Sequence, residues 1–302
     1  MNLLVTGAFN CTQEQLNKIS EIGNVVVFHK MESDALPCSY EWVEGVICNG
    51  LFLHHPIEKF CNLKYIQLTS AGYDRVDMDY VKKHNIKIFN ARGVYSIPMA
   101  EFALCGVLDL YKQSRFFSEN QKLHKWDKHR GLLELCGKTV CIVGSGNVGT
   151  ECAKRFKAFG TTVYAVDICK PQCEIYDKYF SLENITEAIS QSDVIILTLP
   201  LTEETKYMFD KKMFSHFKSN TILVNIARGA IVNQDDLICA LNNKQFYGAV
   251  LDVFEAEPLE ADSPLWDMSN VIITPHNSFV GEFSNDRLYK LIISNLMKVM
   301  LK

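Results

Sequence analysis

Short runs of β-branched and apolar residues alternate, along nearly the whole chain, with stretches whose apolar positions recur every three to four residues. That alternation predicts parallel βαβ units, an α/β fold, and speaks against a sandwich or a helical bundle. In the first third, strands are expected at 2–6, 25–29, 45–48, 65–69 and 87–90. A helix fits between the first two, because Thr12 and Gln15 have capping-box spacing and Leu16 and Ile19 give it an apolar stripe.

From 97 to about 122 the texture becomes one long helical pattern, with Pro98 in a permitted first-turn position and Phe102, Leu104, Cys105, Leu108 and Tyr111 on the apolar side. This stretch is the candidate domain boundary. Beyond it, strands are expected at 139–143, 162–166, 194–199, 221–226, 248–253 and 271–274, enough for a doubly wound sheet. The closing stretch 282–301 reads as a helix with Leu288, Leu291, Ile292, Leu296 and Val299 on one side. A length of 302 residues agrees with two domains at roughly 150 residues each.

The charge balance, 31 Lys and Arg against 35 Asp and Glu with no basic block, disfavours a surface that tracks nucleic-acid phosphates. The start MNLLVTGAFN lacks a basic stretch followed by an apolar one, and no segment reaches the roughly 18 apolar residues of a membrane span, so a cytoplasmic protein without a membrane partner is expected. Several of the 11 cysteines, including Cys48, Cys105, Cys141, Cys152 and Cys239, lie in apolar patterns and are expected to be buried free thiols. The nearest spacings, Cys136 to Cys141 and Cys169 to Cys173, match neither a zinc nor a redox pattern, and no metal is expected.

Chemistry first appears at 138–149, KTVCIVGSGNVG. An apolar strand runs into Gly144-x-Gly146-x-x-Gly149, and a helix with Val148, Cys152, Phe156 and Phe159 on its inner side follows. The first glycine permits a tight turn, the second lets backbone approach a pyrophosphate, and the third lets helix and strand pack closely. The next strand, TTVYAVD, finishes at Asp167, placed to accept from a ribose 2′-hydroxyl. One dinucleotide site is therefore expected, for NAD over NADP, because a carboxylate repels a 2′-phosphate.

Three later segments each put a capable side chain just after a buried strand: Arg228 in VNIARG, Glu257 in LDVFEAEP and His276 in TPH. Ligands bind at that edge of open parallel sheets. Taken singly, the three read equally well as a surface cation, a loop carboxylate and a capping histidine.

Together with LTSAGYDRVD at 68–77, NARGVYSIPMAEFAL at 90–104, Trp126 and the glycine loop, these segments resemble the D-2-hydroxyacid dehydrogenase family over nearly the whole chain. The resemblance implies a Rossmann cofactor domain at 98–275 inserted in a flavodoxin-like substrate domain at 1–97 plus 276–302, with the active site in the cleft. It implies His276 as general acid/base, Glu257 as its partner and Arg228 as the clamp on the substrate carboxylate, with the backbone of Ser70, Ala71 and Gly72 as a second carboxylate contact. It further implies Asn147 and Val148 at the pyrophosphate, Pro200 and Thr205 beside the ribose, and Ala227 and Asp252 at the carboxamide. The sequence departs from the family pattern after the histidine, reading His276-Asn277-Ser278-Phe279-Val280-Gly281.

Reduction of a 2-oxo acid needs a hydride, a proton for the developing alkoxide and a cation for the carboxylate, and each protein role has one suitable residue. The other histidines, His29 among them, lack this strand-end setting. The resemblance also places 49–55, NGLFLHH, over the substrate's side chain. That segment has no Arg or Lys, so a small 2-oxo acid with an uncharged, apolar or aromatic side chain is expected, with Leu51, Phe52 and Tyr73 lining its pocket. The same resemblance covers a serine-pathway phosphoglycerate dehydrogenase and an NAD(H)-sensing, corepressor-like binding protein. It also implies a homodimer formed through the helix after Pro98 and the arm carrying Trp126.

Overall fold

A computed structural model of the protein describes residues 1–28 and 31–300. His29 and Leu301, the last residues of an expected strand and of the expected closing helix, lie outside the described residues. The chain forms two compact units, Met1–Tyr95 with Gly281–Lys302, and Ser96–Val280.

The first unit is a five-stranded parallel sheet of β1 Asn2–Thr6, β2 Asn24–Phe28, β3 Gly45–Cys48, β4 Tyr65–Leu68 and β5 Lys87–Phe89, in the order β2-β1-β3-β4-β5. Helix α1, Gln13–Ser20, begins with the expected capping box: Gln15 N donates to Thr12 Oγ1 at 3.2 Å and Thr12 N donates to Gln15 Oε1 at 3.0 Å. A short helix α2, Met78–Lys83, joins β4 to β5. Buried Leu3, Val5, Ile47 and Tyr65 face Leu288, Ile292 and Leu296 of the C-terminal helix Ser284–Met300. Asn295 fixes that helix: its Nδ2 donates to Gln67 Oε1 at 3.0 Å, and both residues are buried.

The second unit holds β6 Thr139–Val143, β7 Thr162–Asp167, β8 Lys178–Ser181, β9 Val194–Leu197, β10 Ile222–Asn225, β11 Gly248–Leu251 and β12 Val271–Ile273. All seven pair in parallel in the order β12-β11-β10-β9-β6-β7-β8. The seventh, β8, has no signature in the sequence, because an edge strand of four residues, with only Phe180 buried, leaves no run of apolar positions. Buried apolar clusters cover both faces of this sheet.

The expected single helix after Pro98 is two, α3 Ser96–Lys112 and α4 Ser114–Lys122. The break falls at Gln113, whose φ of 54° is left-handed and whose amide donates to Leu110 O and to the Tyr247 hydroxyl, each at 2.9 Å. The buried side of α3 also differs from expectation. Ala100, Ala103, Gly106, Val107 and Leu110 join Tyr111 there, so Phe102, Leu104 and Leu108 are half-buried and Cys105 is exposed. Small residues win that face because the helix lies tight on the sheet: a Cβ at Gly106 would come within 2.5 Å of Val250 Cγ1.

All eleven thiols are free. Cys48, Cys141 and Cys152 are buried as expected, and burial pushes the last two up to about 12, away from reactivity. Cys105 and Cys239 are exposed on the outer sides of their helices, contrary to expectation. Among the described residues no helix is long and apolar enough to cross a membrane.

Candidate active site

The glycine loop leads from β6 into α5, Asn147–Ala158. A Cβ on Gly149 would meet Gly144 O at 2.1 Å, so α5 starts as close to the loop as backbone allows. Gly144 has φ +97°, and Gly146 opens onto empty space. The N-cap Gly146 has no side chain to occupy the first amides of this twelve-residue helix. Asn147 is exposed there and Val148 half-buried. An open cradle of backbone N–H groups at a helix N-terminus fits a pyrophosphate.

Asp167 closes β7 beside this loop. Its carboxylate accepts from Ser145 N at 2.6 Å, Ser145 Oγ at 2.8 Å and Ile168 N at 2.7 Å, which holds the loop against the strand end. Thr205, expected beside the ribose, is buried and works within its own turn: its hydroxyl donates to Pro200 O at 2.8 Å and accepts from Thr202 N at 2.7 Å. Pro200 itself is exposed. Phe159, expected on the inner side of α5, is exposed.

Strands β10, β11 and β12 run parallel in register, with Asn225 beside Leu251 and Leu251 beside Ile273, so their C-terminal ends deliver the three strand-end segments to one edge. His276 Nδ1 lies 2.8 Å from Glu257 Oε2, and the other carboxylate oxygen accepts from Phe254 N at 3.1 Å. Both side chains remain open to solvent. The backbone of His276 has φ +51°, a left-handed conformation that side chains other than glycine disfavour. Asp252 holds it there. Its carbonyl accepts from His276 N at 2.8 Å, and its carboxylate accepts from Thr274 Oγ1 at 2.7 Å, Asn277 N at 2.7 Å and Ser278 N at 3.0 Å. Asp252, expected at a carboxamide, is thus fully buried, with three acceptor positions used on the segment that carries His276.

Arg228 is half-buried and donates through Nη1 to Ala227 O at 2.7 Å. Asn225, which carries no signal of its own in the sequence, shapes this turn: it is buried, its Nδ2 donates to Arg228 O at 3.1 Å, and its Oδ1 accepts from Ala227 N at 3.1 Å.

In the first unit, Ser70–Ala71–Gly72 follow β4. The segment is tied by Ala91 N donating to Ser70 O at 2.8 Å and by Asn90 Nδ2 donating to Ala71 O at 2.5 Å. Leu51, expected to line a pocket, has no exposed surface and belongs to the core, which withdraws it from ligand contact. Phe52 is half-buried, edge-on to Phe60 with centroids 5.7 Å apart, while Leu53 and Tyr73 are exposed. The fold also brings a cation that the local segment lacks: Arg75 Cδ lies 3.9 Å from where a Cβ on Gly50 would be.

This arrangement has known counterparts. Residues 104–278, more than half the chain, match the profile of the D-isomer specific 2-hydroxyacid dehydrogenase NAD-binding domain. The chain is 35% identical over 224 residues to a hydroxypyruvate reductase of Thermotoga maritima, covering 73% of this chain and 72% of that one. It is 32% identical over 249 residues to a D-lactate dehydrogenase of Staphylococcus aureus, covering 78% and 74%. The solved structure of a D-isomer specific 2-hydroxyacid dehydrogenase family protein from Aeromonas salmonicida superposes with a TM-score of 0.84 at 31% identity, over 99% of this chain and 95% of that one. The chain belongs to the D-isomer specific 2-hydroxyacid dehydrogenases. It is an oxidoreductase of 2-hydroxy acids with an NAD-type cofactor, held in a Rossmann domain.

Proposed function

We propose that the protein reduces a small 2-oxo acid with an uncharged side chain, apolar or aromatic, and uses NADH in preference to NADPH. The observation that carries this reading is the His276–Glu257 pair at 2.8 Å, pinned by Asp252 on the strand edge that also carries Arg228. When bound, NADH supplies the hydride. His276 gives its proton to the developing alkoxide, and Glu257 orients the imidazole through Nδ1. Arg228 offers a planar two-pronged donor to the substrate carboxylate, and the amides of 70–72 offer a second contact. Gly144, Gly146, Asn147, Val148 and Gly149 hold the pyrophosphate, with Pro200 beside the ribose and Ala227 toward the carboxamide, while the buried Asp252 acts through the segment that carries His276. Asp167 sets the cofactor preference, since a 2′-phosphate beside its carboxylate would be repelled.

Phe52, Leu53 and Tyr73 are the apolar surface offered to the substrate's side chain. A phosphorylated substrate is the second reading, and Arg75 beside Gly50 is the observation in its favour. Glu32 Oε2 stands 3.5 Å from the same point, however, and offsets that charge. Initial rates across phenylpyruvate, 2-oxoisocaproate, pyruvate, hydroxypyruvate, glyoxylate and 3-phosphohydroxypyruvate, with NADH and then NADPH, test both. The highest kcat/KM is expected for an uncharged acid with NADH. A clear win for the phosphorylated acid would establish the second reading, and equal turnover with NADPH would remove the role given to Asp167.

We also propose a homodimer. The segment beyond α3 exposes Phe117, Leu123 and Leu132, with Trp126 exposed to 94%. So much apolar surface on neighbouring segments is what a partner covers. Light scattering is expected to give twice the chain mass of 34.4 kDa, and a monomer at micromolar concentration would refute the assignment.

A further inference from the structure

The strand order of the first sheet, β2-β1-β3-β4-β5, reverses between β1 and β3. Open parallel sheets take ligands at such a reversal, beyond the carboxyl ends of the strands. Here a side chain of the protein itself bridges the two strand ends. The Glu32 carboxylate accepts through Oε1 from Thr6 Oγ1 at 2.6 Å and from Asn49 N at 2.9 Å, and through Oε2 from Gly50 N at 2.6 Å. Thr6 is the last residue of β1 and is buried, while Asn49 and Gly50 follow β3 directly. Hydrogen bonds to an ionised acceptor are shorter and about twice as strong as neutral ones, so three of them fix both strand ends to one carboxylate.

What the carboxylate fixes is the start of a turn. Gly50 opens the 3₁₀ turn Leu51–Leu53. Leu51 points into the core, Phe52 rests on Phe60, and Leu53 is exposed, with its Cδ1 3.6 Å from where a Cβ on Gly50 would be. Core packing anchors the far side of the turn, and Glu32 anchors the near side.

We infer that Glu32 is a positioning residue for substrate selection: it sets the turn that offers Phe52 and Leu53 to the side chain of the 2-oxo acid. This rests on the reading that 49–55 faces that side chain. Glu32 touches neither cofactor nor reacting atoms in this role, so it acts on substrate affinity and not on the chemical step.

Glu32→Gln keeps the size but turns one acceptor into a donor, which leaves at least one of the three donors unpaired. Its KM for the preferred 2-oxo acid is expected to rise about tenfold, with kcat and the KM for NADH within about twofold of wild type. Amide hydrogen exchange in a peptide spanning 49–51 is expected to quicken, an effect independent of turnover. An unchanged KM for the oxo acid, or a parallel rise for NADH, would overturn the inference, as would unchanged exchange. Should wild type reduce no 2-oxo acid, the functional reading fails while exchange still decides whether Glu32 holds the turn. Thr6→Val removes a single donor and is expected to move KM the same way by a smaller factor; it serves where Glu32→Gln does not fold.

Discussion

His276→Ala is expected to lower kcat for 2-oxo acid reduction by about 10²- to 10⁴-fold, the range lost with a positioned acid or base. The imidazole is held from two directions, by Glu257 on Nδ1 and by Asp252 through the backbone, which leaves Nε2 as the atom able to face a reacting oxygen. Alanine removes the proton donor and keeps the hydrogen bonds of the backbone, so cofactor binding, followed by quenching of protein fluorescence with NADH, is expected to survive. Glu257→Gln keeps the shape of the pair and exchanges a carboxylate for a neutral amide as the partner of Nδ1, so a smaller loss of roughly 10- to 100-fold is expected. Retention of more than a tenth of wild-type kcat in His276→Ala would move the acid/base role elsewhere.

The second large effect is expected at Gly229, next to Arg228. A Cβ there would lie 1.9 Å from both the carbonyl carbon and the oxygen of Phe254, and 2.5 Å from Glu255 N. These are backbone atoms, and no rotamer change relieves the contact; one strand-end loop must move off the other. Gly229→Ala is therefore expected to cost about 3 kcal/mol of stability, at the upper end of overpacking. It is also expected to lower kcat/KM about 10²-fold, because displacing a clamp by about an ångström spoils the alignment of the reacting atoms. Thermal melting and steady-state rates measure the two effects. A variant that melts and turns over like wild type would mean that the loops are spaced more widely than described.

Such contacts mark the limit of what the sequence discloses. The strands of both sheets are legible because buried parallel strands are continuous apolar runs, and the helix at Thr12 because its capping box is local. The edge strand β8 is not, since half-exposed residues carry no apolar signature. The side of α3 that faces the sheet is not legible either, because its fit to Val250 rewards small residues over large ones, and the pattern weighs large ones more. In the site, Gly144 to Gly149, Asp167, Arg228, Glu257 and His276 stand out because each closes or follows a strand. Leu51 lies in the core and not in a pocket, a difference the sequence does not disclose because an apolar residue in a turn looks the same whether it faces the core or a ligand. Glu32 and Arg75 gave no signal, because each meets Gly50 only after the chain has travelled through further elements.

The left-handed backbone at His276 sets local stability against activity. A side chain in that conformation costs about 1 kcal/mol or more relative to glycine, and the hydrogen bonds that Asp252 accepts from this segment offset the cost. Glycine would relax the segment and would have no proton to give. Selection for heat resistance alone would thus drift toward an inert protein at this position, and a stabilised variant of this enzyme has to gain its stability elsewhere.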